Sequence, residues 1–186
     1  MKALALLAPG LLLAAAACGS GDREAVPRRK AFPRLAFSAD SIGRPASLDG
    51  VSFRINRIAG FRPDSARPDW ADIVYPPALG ATMYLSISRP ADLPGAVANR
   101  RQRISLNLGD APALTEEFHA GRWACTLVSS TRAGLTTPVQ LLATSSDGRL
   151  LSGAVALDAP GESADSIRPL LDLLRDDART LLLSLE

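Results

Sequence analysis

Apolar and polar positions change period several times along the chain, and each change marks an element. Val51, Phe53 and Ile55 alternate with Ser52, Arg54 and Asn56, the period-two pattern of a strand with one buried face. Phe61-Arg62-Pro63-Asp64 then reads as a turn, Ala66 to Asp72 as a loop, and Ile73-Val74-Tyr75 as a short strand stopped by Pro76-Pro77. Met83, Leu85 and Ile87 alternate with Thr82, Tyr84, Ser86 and Ser88, the clearest strand of the sequence, closed by Pro90. Leu93, Val97 and Ile104 have helical spacing, which predicts a short helix from about Pro94 with Arg100, Arg101 and Arg103 exposed and a loop through Gly109 to Pro112 after it. Strand character returns from Ala120 to Thr131, with Trp123, Cys125 and Leu127 on one side.

The remainder carries the strongest pattern. Val139 to Ala143 and Leu150 to Leu157 are apolar runs of strand length joined by Ser145-Ser146-Asp147-Gly148, which predicts a hairpin. The second run shows no alternation, so it is expected in the middle of a sheet with both faces covered. A helix follows, capped by Asp165 or Ser166 with Pro169 in its first turn. Ile167, Leu170, Leu171, Leu174, Ala178, Leu181, Leu182 and Leu185 fall in steps of three and four and form one stripe, which is expected to lie across the hairpin. The order strand, strand, strand, helix, strand, strand, strand, helix with short connections predicts the α+β class, an antiparallel-rich sheet with packed helices.

The first residues are of another kind. Met1-Lys2 precedes an apolar core and the small-residue run Ala15-Ala16-Ala17, which ends at Cys18. The run is too short for a membrane span and is broken by Pro9-Gly10, so residues 1–17 read as a signal peptide. The run resembles a bacterial lipobox: cleavage between Ala17 and Cys18, then acylation of the Cys18 thiol. Several acyl chains on one cysteine anchor a protein almost irreversibly, so the chain is expected to act at a membrane surface. Residues 18–35 form a polar, basic tether with Arg23, Arg28, Arg29, Lys30 and Arg34, and residues 36–186 a single domain.

Composition narrows the chemistry. The 186 residues carry a net charge of +2, too little to argue for nucleic acid. Past Lys30 the chain has no lysine, which excludes a phosphate-loop lysine, a Ser-x-x-Lys nucleophile and a Schiff base. His119 is the only histidine, so HExxH is excluded, and His119 with Cys125 cannot build a zinc site alone. With Cys18 acylated, Cys125 has no partner for a disulfide and reads as a buried, inert thiol. The close acidic pairs Asp69/Asp72, Glu116/Glu117 and Asp176/Asp177 read as solvated surface. A general-base role for His119 beside Glu116 and Glu117 is the catalytic alternative. Trp70 and Tyr75 are either core anchors or, with Arg34, the aromatic and basic parts of a partner surface.

Four segments carry a family resemblance. These are Pro27 to Leu35 (PRRKAFPRL), Trp70 with Ile73-Val74-Tyr75-Pro76 and Ala81 to Ser86, Thr137 to Gln140 with Leu150 to Leu157, and Asp165 to Asp177 (DSIRPLLDLLRDD). Together they resemble the gliding-motility lipoprotein GldD of the Bacteroidetes, the last segment nearly position for position. The resemblance implies a fold similar to the PsbP/Mog1-like sandwich. It also implies a periplasm-facing lipoprotein, without catalytic residues or cofactor, that supports gliding and the associated type IX secretion machinery. Its expected partners are the membrane, through the lipid, and other gliding and secretion lipoproteins and envelope proteins. The alternative is a ligand- or peptide-binding envelope lipoprotein with no secretion role; a carboxylate-dependent glycan hydrolase stands third.

Overall fold

The computed structural model describes residues 42–159 and 162–186; Ala17, Cys18 and Arg34 lie outside them. The described chain is α+β. Nine strands run β1 (Ile42–Leu48), β2 (Val51–Asn56), β3 (Gly60–Pro63), β4 (Trp70–Val74), β5 (Ala81–Ser88), β6 (Leu114–Ala120), β7 (Trp123–Ser129), β8 (Val139–Ser145) and β9 (Leu150–Leu157). Helix α1 (Leu93–Leu108) separates β5 from β6, and helix α2 (Ala164–Leu183) follows β9. Strands β1 and β2 form a hairpin, and the other seven form one antiparallel sheet in the order β3-β4-β5-β9-β8-β7-β6.

The unalternating run β9 is the fourth of these seven strands, the middle position that its lack of a polar face predicts. Its hairpin with β8 forms as expected, with Thr144 opposite Leu150. Of the turn dipeptide only Gly148 takes a positive φ, 83°, while its N–H donates to the Ser145 carbonyl at 3.1 Å. The alternation of β5 also holds: Met83, Leu85 and Ile87 are buried on one face, and Thr82, Tyr84 and Ser88 are partly or fully exposed on the other.

Two successive glutamates fix which helix lies on which face. Glu116 and Glu117 of β6 point to opposite sides, as neighbours in a strand must. Glu116 meets Arg179 of α2 at 3.4 Å, and Glu117 meets Arg101 of α1 at 3.4 Å. Helix α2 therefore packs on one face and α1 on the other. The α2 stripe is buried throughout, and Leu173, which the stripe did not include, is buried with it. Its neighbours are β8, β7 and β6, as the hairpin reading anticipated in part, and also β2, whose Val51, Phe53 and Ile55 join the same core. The chain end then runs along β2, where the Glu186 N–H donates to the Ser52 carbonyl at 3.0 Å and the Arg54 N–H to Ser184 Oγ at 2.8 Å.

Several expectations need correction. Three strands were not anticipated: β1, β3 and β6. Phe61–Pro63, read as a turn, pairs with β4 as an edge strand, where Pro63 lacks a donor at little cost. Trp70, placed in a loop, opens β4. The cap of α2 is Ser163, which accepts from the Ser166 N–H at 3.3 Å, so Pro169 is the sixth helical residue and leaves the Asp165 carbonyl without its N–H.

Candidate functional site

The face of the sheet under α1 is only partly covered, because α1 buries a single side chain fully, Leu108. Its start is held by Asp92, whose carboxylate accepts from the Gly95 N–H at 3.0 Å. Between α1 and strands β4, β5, β9 and β8 lies a groove of about 330 Å³. Its walls include Trp70, Tyr84, Arg100, Arg103, Ile104 and Gln140, and its floor Ser152 and Ala154. A second groove of about 430 Å³ continues past Tyr84 over Thr82 and Ala156 to Gly134, Leu135 and Thr136.

The polar atoms of the first groove are tied to one another. Ser86 Oγ and Ser152 Oγ lie 3.0 Å apart, and Gln140 accepts from Asn107 at 3.3 Å and donates to the Thr137 carbonyl at 3.4 Å. At its rim the Arg67 guanidinium stacks over the Trp70 ring at 4.5 Å while it grips Asp64 at 2.6 Å. That pairing holds the Asp64 carboxyl below its ordinary pKa. Arg100 and Arg103 meet no carboxylate within ion-pair reach among the described residues. Partial burial lowers the pKa of Arg100, and the nearby charge of Arg103 lowers it further. Tyr84 stays 44% exposed although it sits mid-strand.

The two aromatic candidates separate here. Trp70 is half-buried on the groove face. Tyr75 is 4% exposed and belongs to the core, so it is withdrawn from any partner surface. Its hydroxyl is directed at Asp177, and burial together with that carboxylate raises its pKa well above the usual phenol range. Asp177 in turn accepts from Asn56 Nδ2 at 3.0 and 3.1 Å. Asp177 is thus not solvated surface as the sequence suggested; burial raises its pKa against the lowering effect of Asn56 and Tyr75. Asp176 keeps its surface place, paired with Arg175 at 3.1 Å.

Of the catalytic candidates, Glu117 and His119 share a cleft and Glu116 does not. Glu116 turns to the α2 face, away from Glu117 and His119, which border a cleft of about 220 Å³ on the far side of α1. Cys125 is 2% exposed, and burial pushes its thiol up to about 11. Among the described residues no three His, Cys, Asp or Glu side chains group as a metal would need, and no helix is long and apolar enough to cross a membrane. At the β8–β9 turn, Arg89, Arg122 and Arg149 surround Asp147 at 3.7, 3.6 and 3.4 Å. Ser145 and these arginines hold its carboxyl below the ordinary value. The open face thus presents two guanidinium groups, of Arg100 and Arg103, beside the aromatic rings of Trp70 and Tyr84.

Comparison with known proteins decides the family. The family model described as gliding motility lipoprotein GldD matches residues 22–186, which takes in every described element. The chain belongs to the GldD family. No curated protein matches the chain. The GldD match begins four residues after Cys18, so that cysteine precedes the matched region while the grooved domain lies within it.

Sequence reasoning missed most of the groove. Tyr84, an aromatic in the polar phase of β5, was the available signal. So was the three-residue spacing of Arg100 and Arg103, which puts both on one side of a helix.

Proposed function

We propose that this GldD-family chain is a non-enzymatic accessory lipoprotein of gliding motility and the associated type IX secretion machinery, anchored through Cys18 and facing the periplasm. The observation that carries the reading is the family match over residues 22–186. The lipobox-like Ala15 to Cys18 run before it supports the anchor. The divergence of Glu116 from Glu117 and His119 supports a binding role over a hydrolytic one, since acid-base hydrolysis needs two carboxyls facing one cleft about 5 to 10 Å apart. Crosslinking and affinity capture of the intact lipoprotein from its own membranes tests the reading. Recovery of gliding or type IX secretion components, reduced by Cys18→Ala, is the expected result; their absence from both samples would overturn it.

The two grooves favour a second reading, a ligand- or peptide-binding envelope lipoprotein without a secretion role. Native mass spectrometry of the purified lipoprotein separates the two. A stoichiometric small molecule, with no secretion component captured, would select the second.

A further inference from the structure

We propose that the groove between α1 and the open sheet face docks an acidic, extended segment of a partner protein, with Arg100 and Arg103 as the charge-reading side chains and Trp70 and Tyr84 as apolar clamps. Charge complementarity names the occupant. No Asp or Glu lines the first groove, whereas two guanidinium groups do, and neither has a carboxylate partner among the described residues; the second groove is lined by Asp158. The other α1 arginine, Arg101, is already engaged by Glu117 on the far side of the helix. Arg100, partly desolvated and beside the like charge of the exposed Arg103, is a group that an incoming carboxylate relieves.

Shape and floor chemistry favour a polypeptide over an acyl chain. The two grooves share Tyr84 and continue along β5 and β9 from Ser86 and Ser152 to Thr82 and Ala156. At about 3.4 Å per residue that is a trough on the order of 14 Å long, room for four extended residues. Its floor carries the small side chains Ser152, Ala154 and Ala156 of the central strand, which leave space above them. Gln140 and Asn107 place amide groups beside that floor, with contacts long enough at 3.3 and 3.4 Å to be exchanged for peptide backbone, and Ser86 adds a hydroxyl bonded to Ser152 at 3.0 Å. An acyl chain could make no hydrogen bond to these polar groups, whereas peptide backbone can. The exposed Tyr84 and Leu106 supply apolar contact at the middle and mouth of the trough.

This inference goes beyond the function proposed above and does not depend on it, because its test reads the groove in isolation from secretion or gliding. The test is selection of a displayed random octapeptide library against the purified full-length lipoprotein in neutral detergent. Affinities of the enriched peptides are then measured by anisotropy for the wild type, the double variant Arg100→Gln/Arg103→Gln, and Arg101→Gln. Enrichment of Asp and Glu next to aromatic residues is expected. The double variant should weaken binding at least about tenfold, and raising salt from about 0.05 to about 0.3 M should weaken it further. Arg101→Gln should leave affinity unchanged. Circular dichroism melts confirm folding of each variant, and docking should shift the emission of Trp70, the partly exposed one of two tryptophans. Enrichment of neutral or basic peptides, no saturable binding, or indifference to the double variant would overturn the proposal. So would arginine-dependent binding of phosphatidylglycerol vesicles without any peptide preference, which would assign the groove to a lipid headgroup.

Discussion

Helix α2 should hold the domain together through one face, and Leu174→Ala measures how much. Leu174 is 0% exposed and sits mid-stripe among the core side chains, with Leu170 and Ala178 at the same depth. Alanine is the better helix former, so the substitution tests packing and not helix propensity. Removing three carbons from such a site costs about 2 to 5 kcal/mol, the transfer loss plus the cavity that the sheet cannot close. With a urea m-value of about 2 kcal/mol/M, a mid-range loss of about 3.5 kcal/mol lowers the midpoint by roughly 1.5 to 2 M. The melting temperature should fall by roughly 10 °C for a domain of this size. Leu183→Ala, at a position 47% exposed on the same helix, should cost under about 1 kcal/mol. Urea unfolding followed by far-ultraviolet circular dichroism, on the Cys18→Ala background, reads both. Equal losses in the two variants, or a loss under about 1 kcal/mol for Leu174→Ala, would refute the claim that this stripe is the core contact.

Gly153→Ala should also destabilise, by about 1 to 3 kcal/mol, since a Cβ there would lie 2.6 Å from Leu85 Cδ2 and 2.7 Å from the Tyr84 carbonyl; an unchanged melt would contradict the close strand packing. Asp177 predicts a pH effect of definite sign. Its folded pKa is raised, so the native state binds the proton more tightly, and the contribution is fully present below the ordinary aspartate value and lost as pH rises through the raised one. The stability of wild type relative to Asp177→Asn should therefore fall from about pH 4 upwards, and a constant difference across urea melts would rule this out. Cys125, with its thiol up near 11, should resist iodoacetamide in the folded chain at pH 8 and react fully in denaturant; rapid native labelling read by mass spectrometry would show the strand to be open.

How far the sequence reached depended on how much each element buries. Strand β5, the β8–β9 hairpin and α2 carry two-sided or periodic apolar patterns because one or both faces are core, and they were legible. Strand β6, with the sequence LTEEFHA, was not, because it is an edge strand whose glutamates face arginines on two different helices. Strand β1 pairs with β2 through Asp49-Gly50, both at positive φ, and that dipeptide was a sufficient hairpin signal that the weak apolar content of β1 obscured. Asp177 read as surface because its helix position is polar; only Asn56 and Tyr75, distant in sequence, turn it inward. The groove was the least legible part, since it is made where α1 fails to cover the sheet, and no local pattern records a gap between elements.

The most direct test of the central claim is complementation of a clean deletion in the source strain, scored for colony spreading and for type IX cargo in the medium. The account predicts that both are lost on deletion and restored by the wild-type gene, and that Cys18→Ala, exported and folded, fails to restore them. Normal spreading and secretion in the deletion strain would contradict it.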